Sequence, residues 1–223
     1  FGQIGDKISA AHGHSDIFHF NFELQGEQIL IDSGTFQYHK RFSDWRSYFR
    51  GVTAHNTISI ENSDHAFQNS RMSWLNLPKI KLIDFKISRE FSFIEAETDA
   101  FKKHNVIHRR SLWFNKKDKF LQIKDTLKST NNFQNKPNLY FYLNFGNHLV
   151  VNQIQNSINI TTKNGNVTLE NDFFRFGNVF KANNKDFLGW RSTNYGSKQK
   201  GQYFKMKLEL VKETELNTII KYG

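Results

Sequence analysis

The chain has 223 residues, of which 38% are hydrophobic, 15% aromatic and 23% charged, with 13 Gly, 2 Pro and no Cys. This composition is typical of a globular protein with a sizeable core and excludes a disordered or collagen-like chain. The lack of Cys excludes disulfides, thiolate metal sites and cysteine nucleophiles. No run approaches the ~18 consecutive apolar residues of a membrane-spanning helix. Because the chain starts at Phe1 without a signal pattern, we expect it to be part of a longer protein.

The formal net charge is +10, and the excess lies in residues 79–223, because residues 1–78 hold 6 Lys+Arg against 8 Asp+Glu. A basic balance suits a polyanionic partner such as nucleic acid, an anionic membrane surface or an acidic polysaccharide. A compositional bias towards Lys and Asn explains it equally well. No nucleic-acid-binding motif accompanies the charge, so we do not expect nucleic acid to be the partner.

Short strands dominate the predicted elements. Residues 17–32 alternate between apolar and polar positions around Gln25-Gly26, which predicts a half-buried β-hairpin. Residues 42–50 are the best helical candidate, and residues 128–138 are rich in Lys and Asn and predict a long loop or a subdivision point. Further strands are predicted over residues 56–60, 79–87, 91–97, 106–114, 120–125, 139–145, 157–161, 166–169 and 203–211. Ten or so strands with little helix predict an all-β fold, an antiparallel β-sandwich.

Histidines are concentrated near the start of the chain, where six of the nine fall within the first 65 residues. His12 and His14 flank Gly13, and on an extended chain residues i and i+2 point to the same side. The two imidazoles could therefore share one ligand or one pocket. A His-x-His pair alone is weak evidence for a site.

A metal site needs a third ligand. Zinc accepts two His and one Asp, with water in the fourth position, and the candidates are His14, Asp32 and His55. A tight hairpin at Gln25-Gly26 would place Asp32 opposite about His19, so His14 would have to lie in a loop that folds back towards the sheet. The alternative is that these histidines are solvated or satisfied in the core.

Four strings occur in order: HGHSD at residues 12–16, ILIDSGT at 29–35, WRSYFR at 45–50 and AHNT at 54–57. Together they resemble the start of the C-terminal domain of the heparinase II/III family of polysaccharide lyases. Weaker similarities are HRRS at 108–111, before a strand that ends at Asp125, and Gly189-Trp190 with Tyr195-Gly196. The resemblance implies that residues 1–223 form one β-sandwich (super-sandwich) domain. In such enzymes this domain packs against an N-terminal α/α toroid, and the polysaccharide cleft lies between them.

The resemblance also implies roles for individual residues. His12 would belong to the catalytic group, and His14, Asp32 and His55 would bind a structural zinc ion. Asp16 would orient a histidine from behind, as metal-bound and catalytic imidazoles usually require. A catalytic Tyr and an Asn would come from the toroid. Location in the bacterial periplasm or outside the cell would follow from the same family.

The reaction implied is β-elimination at a uronate, which needs a group that stabilises the developing charge, a base and an acid. Histidine transfers protons near neutral pH and suits such a role. The string at 45–50 adds Trp45, Arg46, Tyr48 and Arg50, which could stack on sugar rings and pair with carboxylate or sulfate. Tyr48 is the better candidate to approach the reacting atoms, and Tyr38 the weaker one. The alternative places Trp45 in the core and leaves the arginines solvated.

Two functions therefore remain open. The first is the β-sandwich part of a lyase that cleaves a glycosaminoglycan or an alginate-like polymer, incomplete without the toroid. The second is a carbohydrate-binding or polysaccharide-assembly module that keeps the fold and the zinc site without turnover.

Overall fold

The computed structural model describes residues 2–5, 10–38, 44–70, 72–133 and 135–223. Within them the chain forms one α-helix, α1 (Asp44–Arg50), and single-turn 3-10 helices at Val52–Ala54, Lys102–His104 and Phe174–Phe176. The strands in chain order are β1 (Phe22–Leu24), β2 (Glu27–Leu30), β3 (Ile58–Ile60), β4 (Phe67–Gln68), β5 (Trp74–Leu75), β6 (Ile80–Ile87), β7 (Phe91–Phe101), β8 (Val106–Asn115), β9 (Phe120–Ser129), β10 (Asn138–Phe145), β11 (Val150–Ile154), β12 (Ser157–Thr162), β13 (Gly165–Glu170), β14 (Gly177–Lys181), β15 (Trp190–Arg191), β16 (Gln199–Lys200), β17 (Gln202–Glu209) and β18 (Glu213–Tyr222).

Two antiparallel sheets account for most strands. The six-stranded sheet has the order β1-β2-β10-β17-β14, with β3 also paired to β10, and the eight-stranded sheet has the order β11-β12-β13-β18-β9-β8-β7-β6. Their inner faces share one apolar core, which includes Phe141 and Phe204 from the first sheet and Ile123, Leu127 and Ile220 from the second. The predicted all-β antiparallel sandwich with little helix is confirmed.

The segment between β9 and β10 joins the two sheets and lies within the predicted loop at 128–138. That these residues divide the chain into two units stays a prediction. Among the described helices, none is both long and apolar enough to cross a membrane.

Some predicted elements have different limits in the structure. The hairpin turns at Gln25-Gly26 as predicted, but its ladder covers only Phe22–Leu24 and Glu27–Leu30, and Phe18 has a left-handed φ of 62° that interrupts extended backbone. Helix α1 begins at Asp44; residues 42 and 43 of the predicted helix lie outside the described residues.

The sequence pattern missed β18 altogether. This strand alternates as expected for one buried face, but its buried positions are Thr214, Leu216, Thr218 and Ile220. The two threonines hide the apolar repeat on which the prediction depends.

The site lies where segments without strand structure meet helix α1. Residues 10–21 and 31–38 contain no strand. Backbone hydrogen bonds tie them to the helix and to the turn that follows it, from Ser15 N to Arg50 O (2.7 Å) and from Ser33 N to Ala54 O (3.3 Å). The HGH, DSGT and AHNT strings are thereby brought together.

Candidate functional site

The backbone around Gly13 determines where the two histidines of the HGH string point. His12 has a left-handed φ of 62°. A Cβ at Gly13 would lie 2.7 Å from Gly5 N and 2.8 Å from Ile4 Cγ2, so only glycine fits this close approach. The left-handed residue shows that His12 and His14 are not neighbours on extended backbone, which was the basis for expecting them to share one pocket. That they share a pocket stays a prediction.

Each histidine has its own neighbours. The His14 ring lies 5.4 Å from the His55 ring, centroid to centroid, whereas the His12 ring packs edge-on against Tyr38 at 5.2 Å. The candidate catalytic histidine and the candidate metal ligand therefore contact different rings.

His14, Asp32 and His55 come together as a possible metal centre. One ligand atom from each lies within 4.8 Å of the other two. The His55 Nδ1 and Asp32 Oδ2 atoms are 3.0 Å apart, and Gly34 N donates to Asp32 Oδ1 at 2.6 Å. Two nitrogens and one carboxylate oxygen leave a fourth position for water, which is the ligand set that zinc accepts.

Two observations test whether the residues fit a metal. His55 is fully buried, and no described group forms a hydrogen bond with its Nε2 atom. Burial, together with the nearby His55, lowers the pKa of His14 to about 3, although Asp32 acts in the opposite direction. His14 is therefore neutral at physiological pH, which is the form that binds metal.

The carboxylate is also in the form that a metal requires. Burial would raise the pKa of Asp32, but His55, His19 and the Gly34 N–H hold it well below its usual range. The same ionised carboxylate raises the pKa of the buried His55, against the effect of burial. The ligand set therefore fits zinc, with His14, Asp32 and His55 as its protein ligands.

His19 belongs to this centre and was not among the predicted site residues. Its Nε2 atom lies 3.7 Å from Asp32 Oδ2. Its Nδ1 accepts a hydrogen bond from Asn56 N at 2.9 Å, so Nε2 is the protonated nitrogen, which donates to Asn21 Oδ1 at 3.0 Å. The hairpin register, which places Asp32 opposite about His19, was the signal that could have identified it.

Asn56 was also missed. Its buried amide donates to the carbonyls of Phe20 (2.8 Å) and Ile31 (3.2 Å), and its Oδ1 accepts from Asn144 N (2.7 Å). These bonds connect the segments that contain His19, Asp32 and His55. Nothing in its sequence position beyond the AHNT string indicates this role.

Asp16 lies beside the centre. Its carbonyl accepts a hydrogen bond from His19 N at 2.8 Å, and burial raises the pKa of its carboxyl group, with His55 acting in the opposite direction. Its predicted role in orienting a histidine stays a prediction.

Helix α1 places Arg46 next to the aromatic residue beside His12. The Arg46 guanidinium lies 4.9 Å from the Tyr38 ring centroid, and Tyr38 in turn stacks on the exposed Tyr195 at 6.1 Å. Arg46 is only 5% exposed, and none of its three side-chain nitrogens hydrogen-bonds to a described residue. Burial lowers its pKa, because a buried cation without an acceptor is costly.

Of the other aromatic residues of the WRSYFR string, Tyr48 is buried and Trp45 is half-buried. The Tyr48 hydroxyl donates to Trp190 O at 2.9 Å, and burial raises the pKa of the phenol. Trp45 packs against Phe187 and Trp190, with ring centroids 4.7 and 5.1 Å away.

Arg50 hydrogen-bonds to the backbone of the HGH string. It is fully buried, and it donates from Nε to Gly13 O (3.1 Å) and from Nη1 to Ser70 O (2.9 Å). The Trp74 indole donates to the same Gly13 carbonyl at 2.7 Å. Of the predicted contact residues, Arg46 lies beside Tyr38 and His12, whereas Trp45, Tyr48 and Arg50 pack or hydrogen-bond within the protein.

The protein is an antiparallel β-sandwich, and a His-Asp-His group lies between its loops. The family model for the heparinase II/III-like C-terminal domain matches residues 1–214, and the chain belongs to this family. The resemblance seen in the four strings is thereby confirmed. No significant match was found among curated proteins.

Solved structures show the same fold. They include the heparinase III BT4657 gene product (17% identity, TM-score 0.73), the heparan sulfate lyase HepC from Pedobacter heparinus (16%, 0.75) and a further heparinase III (18%, 0.73). The first two matches cover 95% of this chain and the third 96%, but each covers only 31% of the solved chain. This chain thus spans less than a third of the length of those proteins.

Proposed function

We propose that this chain is the β-sandwich part of a polysaccharide lyase that cleaves a uronate-containing anionic polysaccharide by β-elimination. The observation that carries the proposal is the placement of two histidines of one loop: His14 lies with Asp32 and His55 in a group that could hold a metal ion, and the His12 ring packs against Tyr38. A metal ion bound at His14 can then fix the loop, while His12 does not bind the metal. The family and the heparinase III-like fold support this assignment.

The proposed metal is zinc, and its proposed role is structural. When bound, it would join three segments of chain that have no strand structure around the ligands, and it would neutralise the half-buried Asp32 carboxylate. His14, Asp32 and His55 would hold it, and the Gly34 N–H would orient Asp32 through its hydrogen bond.

His12 and Tyr38 are the proposed groups for proton transfer. In β-elimination a base removes the proton beside the uronate carboxyl group, the glycosidic C–O bond breaks, a C=C bond forms and the leaving oxygen gains a proton. An imidazole and a phenol whose ring centroids are 5.2 Å apart can take the roles of base and acid in this reaction. The phenol of Tyr48 is committed to Trp190, so Tyr38 takes the role first considered for Tyr48.

Arg46 is the proposed group for the substrate's negative charge. Its guanidinium lies beside the Tyr38 ring and has no hydrogen-bond partner among the described residues, and a carboxylate or sulfate would bind it with the two-pronged geometry that guanidinium favours. The exposed Tyr195, stacked on Tyr38, would extend the contact to a sugar ring. Since the polymer is extracellular, the protein would act in the periplasm or outside the cell.

The test is a lyase assay on the native protein that contains this chain, with heparan sulfate, alginate and related polymers. We expect the ultraviolet absorbance of an unsaturated uronate product, lowered at least ~100-fold by His12→Ala. Binding of these polymers without product, in protein that contains zinc, would contradict the lyase and leave the carbohydrate-binding module.

A further inference from the structure

Arg110 reaches from the eight-stranded sheet to the loops of the metal centre. It lies on β8, directly opposite Asp125 on β9, and both residues are fully buried. Arg110 Nε donates to Asp125 Oδ1 at 2.6 Å and Nη2 to Oδ2 at 2.8 Å. This paired geometry fixes the plane of the guanidinium.

The remaining nitrogen holds two segments of backbone. Arg110 Nη1 donates to Phe18 O at 2.6 Å and to Asn56 O at 3.1 Å. Phe18 directly precedes His19, and Asn56 directly follows His55. One nitrogen atom therefore fixes the distance between the loop that leads from His14 to His19 and the loop that contains His55.

Asn56 passes this constraint to the third ligand. Its side chain donates to Ile31 O, the residue before Asp32, and its backbone N–H donates to the His19 ring. All three chain segments of the metal centre are thus connected to Arg110, directly or through Asn56.

We propose that Arg110, oriented by Asp125, is a positioning residue for the metal centre: it sets the separation of the ligand-bearing loops before the metal binds. This rests on the proposed zinc site. This role requires a planar group with several fixed donors, because one edge of the guanidinium pairs with the Asp125 carboxylate while the remaining nitrogen donates to two backbone carbonyls. A lysine ammonium is a point charge and cannot do both.

The competing explanation is an ordinary buried ion pair that stabilises the sheet and has no effect on the site. The two differ in zinc affinity. We would measure it on the native protein by competition with a chelator, for wild type, Arg110→Lys and two controls. Arg109→Lys makes the same change at the neighbouring, exposed position, where the arginine pairs with Glu97. His108→Leu removes a hydrogen bond to Asp125 and leaves the Arg110 contacts in place.

If Arg110 positions the ligand-bearing loops, Arg110→Lys should weaken zinc binding about 10-fold or more, the effect typical of residues that orient metal ligands. The same role also predicts an altered visible absorption spectrum of the Co²⁺-substituted protein. Both controls should bind zinc as wild type does, even though His108→Leu lowers thermal stability.

Three outcomes would contradict the proposed role of Arg110. They are wild-type zinc affinity in Arg110→Lys, equal weakening in His108→Leu, and an Arg110→Lys protein that does not fold in saturating zinc. The last would show that Arg110 holds the sheet rather than the loops. Absence of zinc from the wild-type protein would instead contradict the metal site itself, so the two failures are distinguishable.

Discussion

Two of the His–Asp pairs among the described residues have different surroundings. His55 and Asp32 are 3.0 Å apart in the loops, and His108 and Asp125 are 2.6 Å apart between β8 and β9. The Asp32 side chain is 34% exposed, whereas that of Asp125 is completely buried. The same two residue types thus occur at an edge that an ion can reach and in a closed interior.

The third partner decides the difference between the two pairs. Burial would raise the pKa of Asp125, but Arg110 and His108 hold it below its usual range, so the carboxylate is ionised and compensated by a permanent cation. Asp32 has histidines where Asp125 has the arginine, and the neutral His14 adds a ligand rather than a charge. Asp125 with its arginine forms an internal ion pair, and Asp32 with a second, neutral histidine forms the group proposed to hold the metal.

The largest expected effect comes from breaking the interior pair. Asp125→Ala should lower the free energy of unfolding by about 3–5 kcal/mol, because it leaves the Arg110 charge buried and uncompensated. Chemical denaturation measures this value. The control is Glu97→Ala, whose partners Arg109 and Lys81 are on the surface, with an expected loss below about 1 kcal/mol. Similar losses in both variants would contradict the contrast between interior and surface.

A third buried histidine sharpens the comparison through pH. His65 donates from Nε2 to Ile58 O at 3.0 Å, and burial lowers its pKa to about 3. The unfolded chain takes up a proton at this residue below pH ~6.5, but the folded protein does so only near pH 3. Stability therefore falls as pH drops through this window, by about 1.4 kcal/mol per pH unit from His65 alone.

Glutamine offers an N–H donor in place of the imidazole and cannot titrate. The stability of the His65→Gln protein should therefore fall less steeply than that of wild type between pH 6.5 and pH 3. Unfolding curves at several pH values measure the two slopes. Identical slopes for wild type and variant would show that His65 does not contribute to acid sensitivity.

The smallest expected effect separates the two tyrosines near helix α1. Tyr48→Phe removes the hydrogen bond to Trp190 O and should cost about 1 kcal/mol of stability, with lyase activity retained. Tyr38→Phe should lower activity at least ~10-fold if the phenol transfers a proton. The reverse pattern, measured by thermal unfolding and product formation, would return the catalytic role to Tyr48.

The sequence predicted the β-sandwich, because strand periodicity is a local feature. The resemblance to the family pointed to His14, Asp32 and His55, which the structure brings together. The sequence could not predict the turn between His12 and His14, since that depends on a left-handed φ at His12 and on the close approach of Gly13 to Gly5. Nor could it separate Tyr38 from Tyr48, because the Tyr48 partner is Trp190, 142 residues further along the chain.

The interior network was only partly visible in the sequence. HRRS and Asp125 were noticed, but their function depends on contacts that Arg110 makes with Phe18 and Asn56, 92 and 54 residues away. His19 was within reach of the hairpin register, and Asn56 was not. Long-range hydrogen bonds to backbone carbonyls leave no pattern in the amino-acid sequence.

The most direct test of the account is the zinc content of native protein purified as wild type, His12→Ala and His55→Ala. We predict about one zinc per chain in wild type and in His12→Ala, and loss of zinc with loss of stability in His55→Ala. A wild-type protein without zinc, or equal zinc loss in the two variants, would contradict the separation of a metal centre from a catalytic histidine.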